Sequence, residues 1–242
     1  MDVRTFLAIA SLMLVASNAS AKAPARTTSS GAREHWAEHS VKVTLDPSLA
    51  SMGPHAMDEV CVAFGAWLEG DAALPQFVFE IGTTRGAAAK DGVSRVLATH
   101  DVAPGHEKDV AYTVSWANVD TGAILESDIV FNLAYAFGDV AKGCSQSWDT
   151  RSVATHEMGH FLGLAEDMAD DTTTMWFRTD PCDAHKATLS TTDVAAIESV
   201  YVTSTKPVAA HCSLAAPNAP ASGGLWVFGA IAALYIRRKR SS

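Results

Sequence analysis

The stretch that decides the fold is VATHEMGHFLGLAED, residues 153–167. His156 and His160 are four residues apart, so on an α-helix both side chains lie on one face and can direct a ring nitrogen at one metal ion. Glu157 lies beside that face. This is the H-E-x-x-H arrangement, in which two imidazoles hold zinc and the glutamate acts as general base toward a metal-bound water. The spacing therefore predicts a zinc-binding helix with Glu157 as the catalytic base.

A catalytic zinc ion takes a third protein ligand, and the residues after the second histidine are expected to supply it. Gly163 can end the helix in a left-handed conformation that favours glycine, so that the chain turns back toward the metal. In the pattern H-E-x-x-H-x-x-G-x-x-H the third ligand follows the glycine by three residues, and here that residue is Glu166. A carboxylate oxygen is an acceptable zinc ligand. Asp167 is the main competitor, followed by Asp170 and Asp171.

This pattern resembles the metzincin zinc peptidases, and most closely their matrixin-like branch, over roughly residues 41–202. The segment TTTMW, residues 172–176, resembles the turn that places a methionine beneath the zinc in that clan, which here would be Met175. Most metzincins have a histidine as the third ligand. A carboxylate at Glu166 would leave the zinc less positive and its bound water less acidic. The resemblance implies a zinc endopeptidase with Zn2+ as its cofactor.

Apolar periodicity predicts a fold of the α/β (α+β) class. The predicted strands are residues 41–45, 76–81, 93–98, 110–116 and 124–131. An amphipathic helix is predicted over 57–68, where it makes the crossover that two parallel strands need. A further helix, capped by Ser190 or Thr191, is predicted to end near residue 201. With the resemblance, this implies a metzincin-like twisted mixed sheet with an N-terminal backing helix, a zinc-binding helix and a C-terminal helix.

The strand at 110–116 is expected to form an exposed edge of the sheet. This expectation comes from ILESDIVFN, residues 124–132, which resembles the strand that precedes the zinc helix in matrixins. In that family an edge strand binds substrate as an added β-strand, so the resemblance implies a protein or peptide substrate. The alternative is an ordinary β-hairpin with no role in binding.

The net charge and the number of cysteines bear on the partners of the protein and on whether it is exported. The chain of 242 residues has a formal net charge of −9, although residues 237–240 are RRKR, so the rest is more acidic still. An acidic body disfavours nucleic acid as a partner. Four cysteines, at positions 61, 144, 182 and 212, are compatible with a disulfide in an exported protein. A bridge between Cys144 and Cys182 would brace the site, and buried free thiols are the alternative.

Both ends of the chain carry features of export. Residues 1–21 combine an apolar run with small residues before position 22, which predicts a signal peptide. Residues 22–40 have the composition of a flexible leader, and 203–222 that of a linker after a catalytic domain over 41–202. Residues 223–242 join an apolar segment to the basic cluster and resemble the C-terminal sorting tails of myxobacteria. A plain membrane anchor is the alternative, and either predicts an extracellular or cell-surface protein attached through its tail.

The leading hypothesis is therefore a secreted or surface-attached zinc endopeptidase. Glu157 would take a proton from the attacking water and pass it to the leaving nitrogen, above an apolar floor formed by Met175. One alternative is a zinc amidase or deacylase that acts on a small amide, because the same chemistry would serve it. Another is a non-catalytic surface module, which the presence of Glu157 disfavours since a structural site needs no base. The oligomeric state stays open.

Overall fold

A five-stranded sheet forms the centre of the computed structural model, which describes residues 23–68 and 72–201. Its strands are β1 (Ser40–Leu45), β2 (Gln76–Ile81), β3 (Arg95–Thr99), β4 (Ala111–Ala117) and β5 (Ile124–Asn132). The order across the sheet is β2-β1-β3-β5-β4, with β4 antiparallel to β5 and the other neighbours parallel. The strand expected at the edge is therefore an edge strand.

Helices follow the strands in the predicted places. The α-helices of the described residues are α1 (Ala56–Trp67), α2 (Thr150–Phe161) and α3 (Thr191–Val200). The short elements are the 3-10 helices Pro47–Met52, Val140–Lys142 and His185–Ala187, and the paired strands β6 (Phe137–Gly138) and β7 (Trp148–Asp149). The expected α/β class is confirmed, with α1 as the crossover between the parallel strands β1 and β2.

Aromatic rings join the sheet to the helices behind it. Phe64 in α1 packs edge-to-face against Phe77 and Phe79 of β2 and against Phe161 at the end of α2, with ring centroids 5.0–5.7 Å apart. This is a favourable geometry for ring pairs because the edge of one ring meets the oppositely charged face of the other. The contacts bury the apolar face of α1 and hold the end of α2 against the same core.

Residues 23–39 pack along the body of the protein, which corrects the expectation of a flexible leader. Ala25 forms an antiparallel bridge with Leu164, directly after α2. Trp36 is 6% exposed, and its indole Nε1 donates a hydrogen bond of 2.8 Å to the carbonyl oxygen of Phe161. Carbonyl groups at the end of a helix lack hydrogen-bond donors within the helix. The indole of Trp36 supplies such a donor to Phe161. Composition did not reveal these contacts because the partners lie 125 positions apart.

A disulfide joins Cys144 to Cys182. Cys144 precedes α2 and Cys182 follows Met175, so the bridge ties together the segments on either side of the helix that carries the two histidines. Cys61 in α1 is also disulfide-bonded. For these three cysteines the disulfide alternative is correct and the free-thiol alternative is not.

The predicted signal peptide, linker and C-terminal tail lie outside the described residues and stay predictions. Within the residues that the structure does describe, no helix is both long enough and apolar enough to cross a membrane.

Candidate metal centre

Helix α2 carries both histidines and has a defined start and end. Asp149 caps its N-terminus, where the carboxylate accepts a hydrogen bond of 2.7 Å from the N–H of Ser152. At the other end Gly163 adopts a φ of 94°, the left-handed conformation expected from its position in the sequence. A Cβ atom at Gly163 would also collide with the backbone carbonyl of Glu34, so the leader segment adds a second requirement for glycine. The chain turns back over α2 immediately afterwards.

That turn brings Glu166 to the two histidines. Nε2 of His156 is 3.5 Å from Oε2 of Glu166, and Nε2 of His160 is 3.3 Å from Oε1. In a tetrahedral site with zinc–ligand bonds of 2.0–2.2 Å, neighbouring ligand atoms are about 3.4 Å apart. The three side chains are therefore spaced as ligands of one zinc ion. They also form the group of potential metal ligands that the described residues bring together.

Backbone carbonyls orient both imidazoles. Nδ1 of His156 lies 2.7 Å from the carbonyl oxygen of Thr174, and Nδ1 of His160 lies 2.9 Å from that of Leu164. A carbonyl oxygen can only accept, so each Nδ1 carries the proton and each Nε2 keeps its lone pair. Metal-binding histidines are commonly held in this way by a partner on the other ring nitrogen.

The Glu166 carboxylate has the properties expected of a cation ligand. Its Oε2 is buried and accepts no hydrogen bond in the described residues. Burial opposes ionisation, but positive charge on the rings of His156 and His160 would outweigh it and hold the pKa of this carboxyl well below its usual range. An ionised, buried oxygen without a donor is costly unless a cation satisfies it. The residues present therefore fit a zinc ion.

Asp167, the main competitor for the third position, faces away from the histidines. It is 2% exposed, and its Oδ1 accepts hydrogen bonds from the N–H groups of Ala169 at 2.8 Å and Asp170 at 3.2 Å. Asp170 in turn accepts from Thr172. These two carboxylates order the loop after the metal centre, and neither lies with the histidines.

Glu157 lies next to the candidate ligands and is fixed by the edge strand. It is 4% exposed, and its Oε2 accepts a hydrogen bond of 2.7 Å from the hydroxyl of Thr113 in β4. The sequence placed Thr113 on the edge strand, but no spacing pointed to it as a partner of Glu157. The contact means that the strand expected to bind substrate also orients the candidate base.

A cavity of about 620 Å³ opens beside these groups. Its walls include Glu157, the three candidate ligands, residues 110–113 at the start of β4, and residues 177–179. On its outer side β4 pairs with no strand of the described part of the chain. The cavity thus joins the candidate metal centre to an open sheet edge.

Met175 lies beneath the centre, as the resemblance implied. Its side chain is fully buried and packs against Gly159 of α2. The carboxylate of Asp193, in the capping box of α3, accepts hydrogen bonds from the N–H groups of Thr174 at 2.9 Å and Met175 at 3.3 Å. Helix α3 therefore fixes the turn that carries the methionine.

We expect Gly159→Ala to lower the free energy of unfolding by about 1–3 kcal/mol, the usual cost of overpacking a core. The new methyl group would collide with the buried side chains of Met175 and Trp67. Gly65→Ala is the matched control, because a Cβ at that helical glycine meets nothing within 4 Å and alanine favours the helix by about 1 kcal/mol. Urea unfolding of both variants measures the difference. Equal stability of the two would contradict this packing.

A buried lysine completes the surroundings of the centre. Lys186 is 2% exposed, and its Nζ donates a hydrogen bond to the carbonyl oxygen of Trp176 and lies 3.3 Å from Nδ1 of His156. Burial lowers its pKa to about 8, although the charges of Glu166 and Glu157 act in the opposite direction. The sequence did not indicate this residue because a lysine in a polar segment is ordinarily exposed.

Comparison with known proteins gives one family. The sequence profile of the Matrixin family matches residues 35–202, which include every strand and α-helix described above. No curated protein is similar enough in sequence to count as a match.

Proposed function

Because the chain belongs to the matrixin family, which consists of zinc-dependent metalloproteases, we propose that it is a zinc endopeptidase acting on protein or peptide substrates. The observation that carries this proposal is the grouping of His156, His160 and Glu166: the carboxylate lies 3.3–3.5 Å from the two Nε2 atoms, the spacing expected in a tetrahedral zinc site, and the three ligand atoms all lie within 4.8 Å of one another. Their position in the wall of an open cavity supports a catalytic role for the metal.

Each side chain of the site has a separate role in the proposed hydrolysis. Zinc held by the two histidines and Glu166 would polarise the scissile carbonyl and make water more acidic. Glu157 accepts the proton of the attacking water and passes it to the leaving nitrogen. Thr113 holds the Glu157 carboxylate in place through its hydroxyl. Met175 keeps the floor of the site apolar and free of competing ligands.

The edge strand supports a peptide as substrate. An extended peptide can pair with the outer side of β4, since no strand of the described residues occupies it. Such pairing would bring the scissile bond next to Thr113 and Glu157, because β4 itself carries the threonine. A small amide would use the metal but would gain nothing from the strand.

The proposal is tested with purified, zinc-loaded protein. We expect it to cleave casein at internal bonds, to lose this activity when o-phenanthroline removes the metal, and to regain it when zinc is restored. A set of small acyl amides serves as the comparison. Hydrolysis of the amides with intact casein would instead support an amidase or deacylase.

We also propose that the enzyme acts outside the cytoplasm and is attached through its C-terminal segment. The support is the apolar, basic-ended sequence of residues 223–242. Fractionation of cells that express the full chain and a form ending at residue 222 tests it. Equal amounts of both forms in the soluble fraction, with the tail intact, would contradict attachment.

A further inference from the structure

We propose that Lys108 and Arg178 make the cavity selective for acidic peptide segments, by presenting two positive charges to the substrate beside the scissile bond. This inference rests on the proposed endopeptidase function and names a substrate class for it. Both side chains belong to the wall of the cavity that holds the candidate metal centre. They are specificity-determining residues that bind carboxylates of the substrate and take no part in proton transfer.

Lys108 lies in the loop before β4, where its backbone is fixed and its side chain is exposed. The hydroxyl of Tyr135, another residue of the cavity wall, donates a hydrogen bond of 2.8 Å to the carbonyl oxygen of Lys108. The adjacent carboxylate of Glu107 accepts hydrogen bonds of 3.0 and 3.1 Å from the N–H of Gly105. The ammonium of Lys108 therefore forms no ion pair with the described residues and can bind an anion that enters the cavity.

Arg178 follows the methionine turn, and its guanidinium rests on an aromatic pair. The rings of Trp176 and Phe177 have their centroids 4.5 Å apart, and Cζ of Arg178 lies 5.4 Å from the centroid of the Phe177 ring. Such a cation–π contact orients a guanidinium without neutralising its charge. Its planar N–H groups can then bind a carboxylate through two parallel hydrogen bonds. Arg178 is exposed, so this face is open to a substrate.

Three other charged side chains of the cavity wall already have partners. Nε of Arg26 lies 3.3 Å from Oε2 of Glu34. Oδ2 of Asp109 lies 2.7 Å from Nδ1 of His106. The buried ammonium of Lys186 donates a hydrogen bond to a backbone carbonyl oxygen. None of the three is thus as available to a substrate as the two exposed cations.

The remaining charges of the wall balance one another. Glu157 and Glu166 carry two negative charges, which equal the two positive charges of a zinc ion. The unbalanced charge of the cavity is therefore that of Lys108 and Arg178, in a chain whose formal net charge is −9. An acidic body repels acidic peptides over long distances, but salt screens this repulsion beyond about 10 Å. Selection then depends on the carboxylates that lie within the cavity, and not on the net charge of the substrate.

Cleavage of a random decapeptide library by the zinc-loaded, full-length protein tests this selection, with the cleaved bonds identified by mass spectrometry. Near those bonds we expect Glu to exceed Gln by roughly 5- to 10-fold at one or two positions, because each exposed charge pair contributes only a few-fold. Lys should be disfavoured at the same positions. Added NaCl should lower the ratio of Glu to Gln, since exposed charges are screened.

Charge variants assign the selection to the two residues. Lys108→Met and Arg178→Met should each lower the ratio of Glu to Gln, and the double variant should bring it close to one. Changing both residues to Glu should favour Lys at the same positions. Lys42→Met is the matched control, because it removes an exposed lysine that pairs with Glu80 and lies outside the cavity wall. It should leave the ratio unchanged.

A binding measurement separates this inference from the proposed function. Zinc-loaded Glu157→Gln, which should bind peptides without cleaving them, is titrated with three fluorescent decapeptides that differ only in a central run of Glu, Gln or Lys. Fluorescence anisotropy should show the tightest binding for the Glu peptide. Addition of Lys108→Met and Arg178→Met should remove this preference.

Equal cleavage and binding of the Glu and Gln peptides would overturn the charge selection alone, and so would a preference that persists in the double Met variant. Preferred binding of the Glu peptide without any cleavage by the wild type would contradict the endopeptidase alone. Absence of both binding and cleavage would contradict both proposals.

Discussion

Glu157→Gln should lower kcat on a protein substrate by about 10²- to 10⁴-fold, the usual contribution of a general base, while the protein keeps its zinc. Glutamine has nearly the same shape, and its amide oxygen can still accept the hydrogen bond of Thr113. It cannot accept a proton from water at neutral pH. Because Glu157 is not among the candidate ligands, metal binding should survive.

The measurement is a casein assay beside metal content by elemental analysis. Glu107→Gln is the matched control, since it makes the same change at an exposed carboxylate in the loop before β4 and should leave kcat unchanged. Wild-type activity in zinc-loaded Glu157→Gln would contradict the assignment of the base.

Glu166→Ala should weaken zinc binding, whereas Asp167→Ala should leave zinc binding intact and lower the stability of the fold. The first removes a carboxylate that lies 3.3–3.5 Å from both histidines, and we expect zinc affinity to fall by more than the roughly 10- to 100-fold typical of residues that only support a ligand. The second leaves the ligand set intact. It should lower the free energy of unfolding by about 1–3 kcal/mol, because the N–H groups of Ala169 and Asp170 lose their acceptor.

Chelator competition and urea unfolding of the two variants decide between these effects. The neighbouring positions serve as controls for each other, since both changes remove one carboxylate from the same turn. If Asp167→Ala were folded and free of metal while Glu166→Ala kept its zinc, the third ligand would be assigned one residue too early.

Local sequence determined the parts of this protein that depend on short spacings. The positions of His156 and His160 on one helix face follow from the period of the α-helix, and the turn at Gly163 follows from a backbone conformation that favours glycine. Ser190 was one of two predicted caps of α3, and it is the residue that caps it. Each of these features involves residues at most four positions apart. Their pattern can therefore be recognised before any tertiary contact is known.

The position of Glu166 beside the two histidines was predictable for the same reason, because it follows the turning glycine by a fixed number of residues. The sequence spacing could not distinguish Glu166 from its neighbour Asp167 with certainty. A turn brings both carboxylates near the metal centre, and only the hydrogen bonds of the folded loop show that Asp167 faces away.

Tertiary structure alone decided the contacts between distant segments. The hydroxyl of Thr113 reaches Glu157 across 44 positions, Lys186 lies beside His156 across 30, and Trp36 reaches Phe161 across 125. No periodicity or turn signal encodes such pairs, because they depend on how the sheet and helices pack against one another. Burial is also a property of the whole fold. A lysine and a stretch of small polar residues have the composition of solvent-exposed chain, and packing is what places them against the metal centre and the end of α2.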